Sequence, residues 1–207
     1  MQGYQFDSAI VARAVGVDPA VLEDRLEALE HVHAFVRCLT DEELPDRTLT
    51  LCYRFVHVLY QEALYASLRP TRRAALSAAV ANALRTAYGG EHDRIAPALA
   101  TLFDAARDPV QAAAYFLRAA RNASRVFASH EAMALARRGL DAAARLPEST
   151  MRAKLERDLQ LAVGWPLINV RGYAAEEVEP ARSTREHGRW ARRSCGWPSA
   201  PATPAHS

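Results

Sequence analysis

The stretch from Tyr53 to Ala78, Y-R-F-V-H-V-L-Y-Q-E-A-L-Y-A-S-L-R-P-T-R-R-A-A-L-S-A, constrains the fold of this chain more than any other. It begins as the end of a strand, becomes a helix, breaks at Arg69-Pro70 and restarts as a second helix. Between Val56 and Leu68 the polar positions are His57, Gln61, Glu62 and Ser67. His57 and Gln61 stand four apart and share one helical face. So narrow a polar stripe predicts a helix covered on most sides by other protein. The expectation is a connector between two modules, with Phe55, Tyr60, Leu64, Tyr65 and Leu68 packing between them. His57, in the first turn, is expected to face a ligand held by another domain.

Upstream of this stretch the pattern alternates between caps and short elements. Asp7-Ser8 offers a helix start before A-I-V-A-R-A-V, and Gly16 a stop. Asp18-Pro19 is a second start, with a capping acid and a proline at the first helical position. Apolar residues at Val21, Leu22, Leu26, Leu29 and Val32 predict an amphipathic helix to about His33. Two β-prone runs follow, A-F-V-R-C-L and T-L-T-L-C-Y-R-F, joined by the turn-like D-E-E-L-P-D-R, and together they predict a hairpin. Helix, helix, hairpin, helix is the order of a winged helix-turn-helix unit, assigned to residues 1–69.

After Pro70 the pattern is helical throughout. Thr71–Tyr88 is stopped by Gly89-Gly90, and Asp93 to about Arg107 follows, giving connecting helices over 70–107. Asp108-Pro109 opens a helix through Phe127, Ser129 caps one to Leu146, and Glu148–Val163 is ended by Gly164-Trp165-Pro166. The pair from Phe116 to Ala144 resembles a tetratricopeptide repeat. Ala119, Ala120 and Ala123 would line its first helix, and Ala132, Ala136 and Gly139 its second. Residues 108–179 are therefore read as antiparallel, tetratricopeptide-like hairpins. From 180 to 207 the composition, with its Pro, Ser and Arg, cannot form a packed element and predicts a disordered tail. Such an abrupt change is what out-of-frame translation of a chain cut short would leave.

Composition narrows the function classes. Half the residues are hydrophobic, yet mean hydropathy is slightly negative and no apolar run approaches the ~20 residues of a membrane helix. The N-terminus has no secretory pattern, and Cys38, Cys52 and Cys195 lack paired spacing, so a cytoplasmic location with free thiols is expected. Five arginines against Glu186 give the last 27 residues +4, which leaves the rest near −2 of a total of +2. Lys154, inside the helical M-R-A-K-L-E, is the only lysine, so the chain has no phosphate-binding P-loop. No metal-ligand spacing is present, His31 and His33 pointing apart. The second helix carries Glu23, Asp24, Glu27 and Glu30 against Arg25, a pattern that repels a polyanion and argues against nucleic acid.

The run F-V-H-V-L-Y-Q-E-A-L-Y-A-S-L, preceded by V-L-E-D-R-L-E-A-L, resembles the winged-helix end of STAND-class signalling ATPases. The nearest group is the bacterial regulators in which an AAA-type ATPase and helical repeats often follow an adenylate/guanylate cyclase domain. The resemblance covers about residues 5–180. In the wider class a Met-His-Asp motif places its histidine against the β-phosphate of bound ADP. Position for position this implies Val56, His57 and Val58, so the histidine is kept and the aspartate replaced. A helix N-terminus, with unpaired amides and a positive dipole end, suits such an anion.

The reading is thus a mainly α protein: a winged-helix unit, then helical hairpins, acting as a non-catalytic regulatory segment of a STAND-type ATPase. His57 would sense nucleotide with Gln61 beside it, and only together with a separate nucleotide-binding domain. No cofactor is expected in this chain itself, ATP or ADP belonging to the parent family. The expected partner is a protein or that upstream domain, without membrane. Two other classes stay open: a DNA-binding regulator with a helical sensor, and a truncated helical scaffold without function.

Overall fold

The computed structural model describes residues 4–171, with side chains over 4–164. The expected tail, and the end of the last expected hairpin, lie outside the described residues. The described residues are mainly helical with one small antiparallel sheet. In order it runs β1 (Gln5–Asp7), α1 (Ser8–Val15), α2 (Pro19–His31), β2 (Val36–Glu43), β3 (Leu49–Phe55), α3 (Val58–Ser67) and α4 (Pro70–Ala87). Then come α5 (His92–Ala105), α6 (Pro109–Arg125), α7 (Ser129–Ala143) and α8 (Thr150–Arg171).

Local chemistry explains most boundaries. Gly16 ends α1 with φ 73°, a left-handed conformation that costs glycine little, and its N–H returns to the Ala12 carbonyl. The Asp18 carboxylate accepts from the Ala20 N–H, and Asp108 accepts from the Gln111 N–H, each ahead of a proline at the first helical position. Several boundaries differ from expectation: β2 runs on to Glu43 through half of the expected turn, and α7 ends at Ala143 short of Leu146. Ser129 is the first residue of α7 rather than its cap. α8 continues through Gly164-Trp165-Pro166 to Arg171, because an interior proline removes one helical hydrogen bond without forbidding the helix.

The three strands lie in the order β1-β3-β2. The hairpin β2–β3 was expected; β1, pairing Phe6 with Tyr53, was not. β2 carries a bulge between Cys38 and Thr40. A small core of Leu26, Val36 and Tyr53, with Phe6, Leu22 and Phe55 around it, holds the sheet to α2.

A second, larger core runs through the stack α4–α8 and includes Ala9, Ile10 and Leu44 from the N-terminal part. α1 packs on α4, and Ile10 is fully buried there. Ser8, the first residue of α1, is also fully buried. Its hydroxyl donates to Glu23 Oε1 at 3.0 Å and accepts from the Leu51 N–H at 3.1 Å, while Thr50 Oγ1 accepts from the Ala9 N–H. α1 is therefore fixed to β3 and α2 by hydrogen bonds and to α4 by apolar contact. The core crosses position 69 without interruption.

Within the stack, consecutive helices pack against each other, and α6 also meets α8. The small residues expected on the first and second helices of the hairpin, Ala119, Ala120, Ala123, Ala132, Ala136 and Gly139, are all buried. At Gly139 a Cβ would stand 2.5 Å from Leu159 Cδ2 and 3.0 Å from Phe116 Cβ, so α6, α7 and α8 converge at a point only glycine fits. Pro97 inside α5 leaves the Asp93 carbonyl without its helical donor. Asn122 Nδ2 of α6 donates to that oxygen at 2.9 Å and closes the gap.

Candidate functional site

His57 occupies the N-cap position of α3 with extended backbone (φ −137°, ψ 139°). Its Nδ1 accepts from the Leu59 N–H at 3.2 Å. A nitrogen that accepts carries no proton, so the neutral ring bears its hydrogen on Nε2. The imidazole thus caps the helix with one nitrogen and keeps a donor on the other, on an exposed side chain. Gln61, one turn on, is half-buried.

Around His57 the surface is aromatic. Its ring stands 6.2 Å from that of Tyr60, Tyr60 stands 4.9 Å from Phe35, and Phe35 stacks at 5.5 Å on His33. The backbone brings these together where the hairpin closes: the Val56 N–H donates to the Phe35 carbonyl, and Tyr4 Oη donates to the Val56 carbonyl at 3.3 Å. Phe35 was not singled out from sequence, and His33 was weighed there only as a metal ligand. Their only signal was an aromatic residue at the edge of a β-prone run, whose neighbour across the strand pair depends on register.

The remaining expected packing residues divide. Phe55 packs in the small core, its ring 5.5 Å from Phe6. Tyr65 lies under the Arg73 guanidinium, 5.0 Å from the ring centroid, and Arg73 Nε donates to the Leu68 carbonyl at 3.1 Å. These contacts fix the corner between α3 and α4. Tyr60 and Leu64 remain 41% and 53% exposed.

The expectation of a helix covered on most sides is not met by the described residues. α3 has no buried residue and packs on the end of β3. Val56, Val58 and Leu59 are exposed along with Tyr60 and Leu64. The joint between sheet and stack is made by α1 on α4, which leaves the apolar surface of α3 facing outward. That surface is continuous in sequence with the His57 donor.

Two other candidates from the sequence have structural roles. Of the α2 acids, Glu23 accepts from Ser8 Oγ and Glu30 Oε1 accepts from the Cys38 N–H at 3.2 Å, whereas Asp24 and Glu27 are exposed. Cys38 and Cys52 are free. Burial raises both thiols; Glu30, Asp41 and Glu23 add to this at Cys38, and Asp7, Glu42 and Cys38 at Cys52. A raised thiol is a poor nucleophile. Among the described residues there is no group of three or more metal-ligating side chains, and no helix is long and apolar enough to cross a membrane. Comparison of the chain with family models, curated proteins and solved structures returns no match.

Proposed function

We propose that this chain is a non-catalytic regulatory segment that docks, through α3 and the His57 end, on the nucleotide-binding domain of a STAND-type ATPase. The observation that carries the reading is α3 itself: a ten-residue helix with no buried position, an apolar outer face and a histidine donor at its N-terminus. Contiguous exposed apolar surface of this kind marks interaction sites on soluble proteins. The order helix, helix, hairpin, with β1 completing a β1-β3-β2 sheet, supports a winged-helix unit. The sequential packing of α4–α8, with small residues at the α6–α7–α8 junction, supports tetratricopeptide-like hairpins. On this reading the partner domain holds ADP or ATP, and His57 Nε2–H donates to its phosphate while Nδ1 keeps α3 capped.

The test is titration of the chain with a P-loop domain encoded beside it, with and without ADP. A complex weakened at least about tenfold by Leu64→Asp, equivalent to ~1.4 kcal/mol, is expected, because the aspartate would place an unpaired charge in an apolar contact. His57→Asn keeps a capping side chain and should weaken only the ADP-dependent part. No complex, or one indifferent to Leu64→Asp, contradicts the docking face. ADP alone should not bind the chain.

A further inference from the structure

Arg37 and Arg54 stand directly opposite each other on β2 and β3, and Gln5 of β1 completes the row. Side chains alternate across a sheet. Val36, Tyr53 and Phe6 belong to the small core on α2, so this row occupies the other face, with Arg37 exposed and Arg54 half-buried. Like charges directly opposite across a strand pair destabilise it. Among the described residues neither guanidinium has an ion pair or a hydrogen bond to offset this. The acids of the same face, Asp7 opposite Cys52 and Glu42 opposite Thr50, lie one and two rows away. Departures from local pairing rules that the chain does not compensate concentrate at functional sites.

The surroundings narrow what would relieve the pair. Two residues further along each strand, Phe35 and Val56 return to the arginines' side and are exposed, and the bond from the Val56 N–H to the Phe35 carbonyl prolongs the ladder there. Phe35 leads on to Tyr60 of α3. The arginines thus border the apolar surface of α3 on an open sheet face, a shape that suits a protein surface, whereas small ligands take concave sites. A long polyanion is repelled, because residues 1–69 hold six arginines against eleven acids. We infer that Arg37 and Arg54 receive a pair of carboxylates on the partner domain, at the edge of the apolar contact made by α3. Each guanidinium grips one carboxylate through two parallel N–H donors. The two negative charges cancel the repulsion across the strands, so stability that the isolated chain gives up returns on association. The inference rests on the docking of α3 proposed above and adds the charge that selects the partner.

Reversing one charge tests it in two ways. Arg37→Glu turns the like pair into an opposite pair, and in the isolated chain it should raise the melting temperature by about 2 °C. An unchanged or lowered melting temperature overturns the inference. In titrations with the P-loop domain encoded beside the chain, Arg37→Glu and Arg54→Glu should each weaken the complex about tenfold. Raising sodium chloride from about 0.05 to about 0.3 M should weaken the parent complex more steeply than the Arg37→Glu complex. Arg25→Glu, at an exposed position of α2 across the sheet, makes the same change in net charge and should alter affinity less than about twofold. A complex weakened by Leu64→Asp but indifferent to Arg37→Glu, or weakened equally by Arg25→Glu, overturns this inference alone. No complex with the parent chain overturns the docking reading and this inference with it.

Discussion

α1 and α3 are both short, both mostly apolar, and stand on opposite sides of the hairpin in the chain. They end in opposite environments. α1 buries Ser8, Ala9, Ile10 and Ala12 in eight residues, whereas α3 buries none in ten. The difference lies in what faces each helix. α1 presents small residues to the alanine-rich side of α4 and a serine to Glu23 and the Leu51 N–H, so its apolar and polar groups are both satisfied. α3 packs on the end of β3 and meets α4 at the corner held by Arg73. Apolar content alone does not tell whether a helix is a structural joint or an exposed contact surface; the element placed opposite it does.

The sharpest way to break this contrast is at its two centres. Ile10→Ala should cost about 4 kcal/mol, the upper part of the range for a fully buried aliphatic residue, and lower the melting of sheet and stack together. A loss confined to the sheet signal would separate the two cores. The sheet can also be addressed by pH. Burial, assisted by Cys38, Glu30, Glu23 and Glu27, pushes the Tyr53 hydroxyl up to about 12. The folded state therefore holds that proton after the unfolded chain has released it near 10, and stability full below pH 10 is lost as pH rises toward 12. The loss reaches up to about 3 kcal/mol, and Tyr53→Phe should remove it from alkaline unfolding curves.

Inside the stack, Gly139→Ala must push Leu159 and Phe116 aside and should cost about 2 kcal/mol despite the better helix propensity of alanine. If the core is continuous, this loss also appears in the melting of the sheet, measured by tyrosine signals there. On the other side of the contrast, His57→Ala removes the cap of α3 and should cost about 1 kcal/mol in the local helicity of α3, restored by His57→Asn. Leu64→Ala should be nearly silent in the isolated chain, within about 0.5 kcal/mol, because the side chain is half exposed already. A large loss from Leu64→Ala would mean that α3 is covered within the chain after all.

Much of the local structure was legible because its signals are local. Gly16, Asp18-Pro19, Gly89-Gly90 and Asp108-Pro109 act through their own backbone, and each ends or starts an element where expected. β1 was missed because three residues, Gln5–Asp7, are too few to show alternation; only Tyr53 opposite Phe6 makes them a strand. The helix around Pro97 was expected, but the Asn122 donor that satisfies the Asp93 carbonyl was not. At the candidate site, the position of His57 at a helix start was readable, and its Nδ1 capping bond follows from that position. Phe35 and His33 entered through strand register, which the sequence of either strand alone does not specify.

Native-state hydrogen exchange of the isolated chain measures the contrast between α1 and α3 most directly, because it reports the opening energy of each amide. Protection of the α1 amides up to the global unfolding energy is expected, together with α3 amides that open locally at much lower cost. Equal protection of the two helices, or a freely opening α1 beside a protected α3, would contradict the account.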